Sequence, residues 1–399
     1  MKFSYLNYMA DLYGYSIGST IKALKLLHNL ELFGHAVAFH WLGGDRPHAS
    51  TAAPANSSAR SFFRDLFFTP GQLLRNVRQF FREQQLIKQD HPDALIVRLD
   101  AFRLSALWLA RLYRLPLIVE ADGACSYEWL TFNNGRHLWD SALLWCERLM
   151  LKGANGIFTQ SKIAKDYYTK MHGLDPDSIT VITNGADPYP DIEAGTSVRA
   201  RLGISQDAQV IGFIGSMQRW HGLQDMRSLV DDLLASDKNV LFLFVGSGGA
   251  LEKELRESLQ HGGRRIIFTG AVPNDQVAAY VRAFTIAVAP YPPIDLFYFS
   301  PMKIFEYMSA GVPIVASRSG QISDILRDGE SALLYEPGDY AQLKTALIRL
   351  VRDVDLRTRI ADNARALFGR EHTWQHKAKE LDDFLSHCLH MKDEPERKV

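Results

Sequence analysis

Apolar runs of four to seven residues alternate with amphipathic stretches through the first half of the chain. "FSYLNYM", "AVAFHWL", "ALIVRL", "LIVEA", "GIFTQ" and "ITVIT" read as strands, and segments such as "STIKALKLLHNLELFG" between them carry the three-to-four-residue apolar repeat of helices. Continuous rather than alternating apolar strands, separated by helices, predict a parallel sheet covered on both faces. The rhythm stops at "TNGADPYPDIEAGTS" (183–197), rich in turn formers, and resumes with "VIGFIGS", "VLFLFVG", "RIIFTG", "TIAVAPY", "PIVAS" and "ALLYEP". The pattern therefore predicts an α/β chain of two doubly wound, Rossmann-like domains, 1–190 and 191–372, followed by a helical segment and tail, 373–399. A length of 399 residues agrees, being too long for one ordinary core.

Doubly wound sheets bind ligands beyond the carboxyl ends of their strands, where strand order reverses. Two such domains facing each other would place both switch points on one cleft. The loops that matter are then "YGYSIGS" with Gly18, "EADGACS" with Asp122, "GSMQRWHG" with Ser216, Arg219 and His221, "GSGG" with Gly246, "TGAVPND" with Val272, and "APYPPIDLFYFSP". Glycines beside helix starts leave backbone N–H groups open to phosphate, although glycines also end strands for steric reasons alone.

One stretch poses a chemical question. "YFSPMKIFEYMSAGVPIVAS" (298–317) reads as a short helix, with Ser300 suited to cap it, Pro301 to its first position and Gly311 to its end. Among its apolar neighbours stands Glu306, and a buried carboxylate needs a partner. Lys303, three residues earlier, offers an ion pair worth only about 0.2 to 0.5 kcal/mol on an exposed helix. A ligand is the alternative.

Composition narrows the classes. With 45 basic and 45 acidic residues the formal net charge is zero, which argues against a general nucleic-acid binder. Cys125, Cys146 and Cys388 are odd in number and widely spaced, giving neither a disulfide framework nor a metal-ligand pattern, as in a reducing cytoplasm. The N-terminus lacks the order of a signal peptide, and no 18 apolar residues run together, so a soluble cytoplasmic protein is expected. The segment 60–88 is unusual. Phe62, Phe63, Phe67, Phe68, Phe80 and Phe81 alternate there with Arg60, Arg64, Arg75, Arg78 and Arg82. It reads either as an amphipathic helix packed on the first sheet or as one lying on the inner face of an anionic membrane.

The motifs "VITNGAD", "IGSMQRWHGLQDM", "FVGSGGALEKEL", "FTGAVPNDQVAAYVRAFTIAVAPY" and "SPMKIFEYMSAGVPIVASRSGQISDILRDGESALLYEPGD" occur in this order. Together they resemble the family 4 retaining glycosyltransferases of the GT-B fold, over nearly the whole chain. The resemblance implies transfer of a sugar from a UDP- or GDP-linked donor, held by the second domain, to an acceptor hydroxyl, which could belong to a sugar or a lipid-linked sugar, received by the first. It assigns Glu306 to the ribose hydroxyls and the base contacts to backbone near Val272. The helix start at Ser300, Pro301 and Met302 would assist at the diphosphate. It also implies that the helix after 373 returns to the first domain.

Three positions depart from the family pattern. Tyr298 stands where a glutamate would face the transferred sugar, and Ser216 and His221 stand where an arginine and a lysine would meet the diphosphate. Arg219, His221 and Lys303 are the replacement cations the sequence offers. Asp122 follows the fourth strand, where relatives carry a residue facing the sugar, and Glu120 is a weaker candidate. No carboxylate pair announces a covalent glycosidase mechanism. The resemblance implies instead that the donor's phosphate takes the acceptor proton, with no metal and no bound cofactor. Two other readings share this pattern: a sugar-nucleotide epimerase on the same fold, and a non-catalytic nucleotide-sugar-binding protein.

Overall fold

The structure is a computed structural model describing residues 1–8, 17–43, 58–132, 140–189, 194–223, 226–249 and 251–390. The expected loop 43–59 falls largely outside these residues, as do the tail 392–399, positions 9–16 of the loop before Gly18, and the side chains of 58–70, which include Arg60, Phe62, Phe63, Arg64, Phe67 and Phe68.

All twelve apolar runs form strands. The first sheet contains β1 (Lys2–Asn7), β2 (Ala36–Trp41), β3 (Ala94–Arg98), β4 (Leu117–Glu120), β5 (Gly156–Thr159) and β6 (Ile179–Val181), in the parallel order β2-β1-β3-β4-β5-β6. The second contains β7 (Gln209–Ile214), β8 (Val240–Val245), β9 (Ile266–Phe268), β10 (Ile286–Ala289), β11 (Ile314–Ser317) and β12 (Leu333–Tyr335), in the parallel order β12-β11-β10-β7-β8-β9. Strand order reverses between β1 and β3 in one sheet and between β7 and β10 in the other. Those are the switch points where ligands of such sheets bind.

The chain divides into two compact units, Met1–Thr183 with Lys377–Val399, and Asn184–His376. In the first unit the helices Ser58–Asp90, Ser105–Tyr113 and Asp140–Lys152 close one face of the sheet. The other face buries Ala23, Leu26 and Leu30 of Ile17–Leu32 together with Ala378, Leu381 and Leu385 of the helix Trp374–His390. Trp374 is buried. In the second unit, apolar side chains from both sheet faces form two core layers. All three cysteines are free thiols. Among the described residues no helix is long and apolar enough to cross a membrane.

Candidate donor site

The helix Met302–Ala310 follows β10 and ends as expected, with Gly311 in the left-handed conformation (φ 65°). Its start differs from expectation. Pro301 occupies the N-cap without a side-chain bond, and the Ser300 hydroxyl instead accepts the Asn184 N–H at 3.0 Å, while Asn184 Nδ2 donates to the Ser300 carbonyl at 2.6 Å. Ser300 therefore fastens the approach to the helix. Tyr307 locks the helix to the sheet, accepting from Ile214 N at 3.1 Å and donating to the Val288 carbonyl at 3.2 Å. These bonds hold the helix against the ends of β7 and β10.

Lys303 consequently lies at that switch point, its residue 7% exposed. Its ammonium sits 4.0 Å from the centroid of Phe213 and 5.2 Å from that of Tyr291, and its Nζ has no hydrogen-bond partner among the described residues. Burial lowers its pKa to about 7, against the opposing pull of Glu306. Glu306, one turn further on, is half-buried, and burial raises its carboxyl to about 7 although Lys303 pulls it down. The two do not form the i,i+3 ion pair the sequence offered; among the described residues the structure contains no such bridge. A cation and an acid thus stand unpaired on one helix beside one switch point.

The loop after β7 surrounds Lys303 with backbone. Gly215 (φ 130°) donates its N–H to the Val245 carbonyl at 2.9 Å, and an added Cβ there would lie 3.3 Å from Lys303 Nζ. Gly246 (φ 123°) passes so close that a Cβ would come within 2.3 Å of the Gly215 carbonyl oxygen. Only glycine fits that approach.

His221 is at the site but is not the expected cation. Its Nδ1 lies 2.5 Å from the Ser216 carbonyl and its ring packs against Phe213, Trp220 and Tyr291. Burial first, then the Lys303 charge, depresses its pKa well below 6.5, so the imidazole is neutral and Nδ1 carries the proton donated to Ser216. Arg219 points elsewhere. It is 65% exposed and bridges to Glu254 at 3.4 Å. Tyr298 is buried against Phe299, with ring centroids 4.3 Å apart. Val272 is half-buried in the loop after β9, packed on the core, and Met302 is half-buried at the helix start.

The other two candidates belong to the first unit. Gly18 is the second residue of the helix Ile17–Leu32, and one turn later comes Lys22, fully buried. Asp122 is not an exposed turn residue: its two oxygens meet Lys22 Nζ at 2.5 Å and Arg98 at 3.3 Å. Lys22 also reaches Glu120 at 2.9 Å, and Tyr5 donates its hydroxyl to Glu120. Against burial, Lys22 and Arg98 hold Glu120 down to about 2, while burial and then Glu120 push Asp122 up. Sequence reasoning singled out neither Lys22 nor Arg98. The signal was present as a cation inside the apolar run "ALIVRL" and another on the apolar side of a helix.

The fold is of the GT-B type. The chain superposes on the Anabaena protein Alr3699/HepE, whose structure contains UDP, with a TM-score of 0.69 and 17% identity over 97% of this chain and 100% of that one. It also superposes on sucrose-phosphate synthase of Thermosynechococcus elongatus with a TM-score of 0.71 and 17% identity, over 98% of this chain and 99% of that one. Residues 208–353 match the profile described as "Glycosyl transferases group 1", and residues 18–189 that described as "Glycosyltransferase Family 4". A D-inositol 3-phosphate glycosyltransferase of Corynebacterium efficiens is 30% identical over 70% of this chain and 68% of its own length; one of Corynebacterium kroppenstedtii is 27% identical over 71% and 64%. The chain belongs to the group 1, family 4 glycosyltransferases. Its matches span about two thirds or less of the curated relatives' length.

Proposed function

We propose that the protein is a retaining glycosyltransferase that takes its sugar from a nucleoside-diphosphate donor bound at the β7/β10 switch point. The observation that carries this is the unpartnered, buried Lys303 ammonium with Glu306 one turn along the same helix. A diphosphate supplies the anion that Lys303 lacks, and ribose hydroxyls supply donors to Glu306. The UDP carried by the HepE structure agrees with a uridine donor.

In the proposed reaction the bond from the anomeric carbon to the diphosphate breaks as the acceptor oxygen bonds on the same face. A phosphate oxygen of the leaving group takes the acceptor proton. Lys303 stabilises the charge that grows on the departing diphosphate, in a site dry enough for one cation to be effective. The β7 and β8 glycines let backbone approach the phosphates. No metal is required in this scheme. His221, being neutral, holds the loop and leaves the charge to Lys303. Asp122 acts through its ion cluster, fixing the carboxyl end of β4 in the acceptor unit; the relatives' phosphorylated inositol acceptor suggests a polar acceptor hydroxyl here too.

A thermal-shift panel of UDP, GDP, ADP, CMP and their common sugars tests the donor class. A ligand at 100 times its Kd adds about 2.7 kcal/mol to stability. One nucleoside diphosphate should stand out. Transfer followed by NMR, with and without chelator, should then show acceptor-dependent release of nucleotide, an unchanged anomeric configuration and no metal requirement. A changed nucleotide sugar in the absence of acceptor would instead establish an epimerase.

A further inference from the structure

The second unit carries a cavity at the end of its sheet away from Lys303. It opens where β7, β10 and β11 begin, around Gln209, Thr285 and Pro313, whereas Lys303 packs on Phe213 near the end of β7. A volume of about 550 Å³ lies there between the helix Ala194–Arg201, the loop 206–208 and the helix Val354–Glu371. It adjoins a second volume of about 400 Å³, with which it shares Arg282, Thr285 and Arg357.

Three guanidinium groups line the first volume, those of Arg199, Arg282 and Arg357. Arg199 ties the surrounding loops together. Its Nε donates to the Ala283 carbonyl at 2.9 Å, its Nη1 to the carbonyls of Ser205, Gln206 and Ala208 at 3.3, 2.9 and 3.0 Å, and its Nη2 to the Thr285 hydroxyl at 2.9 Å. Arg357 uses Nη1 alone, donating to Gln209 Oε1 at 3.0 Å and to the carbonyls of Leu350 and Val351 at 3.1 and 3.4 Å. Its Nε and Nη2 have no hydrogen-bond partner among the described residues. Arg282 donates to the Tyr189 carbonyl from a third side.

The acceptors around Arg199 and Arg357 are all neutral oxygens, and neither residue is in an ion pair among the described residues. Both are half-buried, and burial lowers the pKa of each. Two partly desolvated positive charges therefore face one cavity without a counterion, a state that an anion would relieve. Gly195 and Thr196, in the first turn of the helix Ala194–Arg201, line the same volume, and first-turn N–H groups have no partner within their own helix. The acids of the two volumes, Asp207 and Asp362, are exposed and pair with neither arginine.

We propose that this cavity binds the phosphate group of a small hydroxylated metabolite, with the phosphate between Arg199 and Arg357 and the carbon body in the second volume beside Thr358 and Asp362. The open Nε and Nη2 of Arg357 form the planar fork that pairs with two phosphate oxygens. Thr358 and Asp362 offer oxygens to the hydroxyl groups of the carbon body. The cavity and Lys303 lie at opposite ends of the second sheet, so an occupant here does not compete with the donor, and the proposal stands or falls apart from the donor site.

The test is thermal unfolding of Lys303→Met, which lacks the donor-site cation, with inorganic phosphate, ribose 5-phosphate or ribose, each at ionic strength matched with chloride. Ribose 5-phosphate should raise Tm saturably and ribose should not. Arg357→Gln in the same background should weaken the apparent affinity by about tenfold or more. Thr358→Glu should do the same while keeping all three arginines, because it sets a carboxylate in the cavity from an exposed helical position. General salting by phosphate persists in both variants, so the difference isolates the cavity. Made in the wild type, Thr358→Glu should leave circular dichroism and the nucleotide-induced thermal shift unchanged. Saturable stabilisation by ribose 5-phosphate supports the ester, and stabilisation by phosphate alone reassigns the site to the free ion. No saturable effect of either, or an effect that Thr358→Glu leaves undiminished, overturns the proposal.

Discussion

Replacing Lys303 with methionine should make the unliganded protein more stable while destroying its nucleotide site. The ammonium is buried with no hydrogen-bond partner, and burial takes its pKa from 10.5 to about 7. The folded state therefore holds its proton more weakly than the unfolded state, which binds more protons between pH 7 and 10.5. Stability attributable to this group rises with pH across that window, and its full cost is present below pH 7. At 1.36 kcal/mol per unit the cost is about 4 kcal/mol at pH 7 and about 2 at pH 9. Methionine keeps nearly the same volume and needs no partner. Lys303→Met should then gain about 4 kcal/mol at pH 7, a rise in Tm of roughly 8 to 16 °C for a unit of this size, and about 2 kcal/mol by pH 9. Thermal unfolding of both proteins from pH 6 to 9.5 measures this. A variant less stable than wild type at pH 7, or a gain that does not shrink with rising pH, would refute the reasoning.

Diphosphate binding should restore the Lys303 proton, so calorimetry in buffers of different ionisation enthalpy should show proton uptake above pH 7, with affinity falling up to about tenfold per pH unit there; affinity independent of pH from 7 to 9 would count against a Lys303 contact. Gly222→Ala should cost more than about 2 kcal/mol, because the residue has φ 72° and an added Cβ would lie 1.6 Å from the Pro290 carbonyl oxygen; urea unfolding checks it, and an unchanged midpoint would disprove the close approach. Lys22→Met leaves Glu120 and Asp122 buried with Arg98 as their one remaining cation among the described residues and should destabilise the first unit by about 3 to 5 kcal/mol, a loss read in the same urea experiment and overturned by wild-type stability.

The twelve strands were legible because a strand buried on both faces leaves little freedom in composition: runs such as "VLFLFV" and "ALIVR" announce themselves. The helix carrying Lys303 and Glu306 was legible from its flanking proline and glycine, whereas the switch points needed the strand order, which pairing between distant segments decides. What the sequence hid were relations between distant residues. Ser300 resembles a cap, yet Asn184, more than a hundred positions earlier, takes its hydroxyl. His221 resembles a cation until Phe213, Tyr291 and Lys303 are placed around it, after which burial and a like charge keep it neutral. Arg219 is only two residues from His221 but turns outward to Glu254. Asp122 needed Lys22, 100 positions earlier, and Arg98, 24 positions earlier, before its place in an ion cluster could be seen.

The central claim is that Lys303 binds the diphosphate of the donor. Titration calorimetry of the preferred nucleoside diphosphate into wild type, Lys303→Met and Glu306→Gln at pH 7 tests it directly. The account predicts binding to the wild type, a loss of at least about 100-fold in Lys303→Met from removal of a charge-assisted bond, and a smaller loss in Glu306→Gln. Equal affinity in the wild type and a folded Lys303→Met would contradict it.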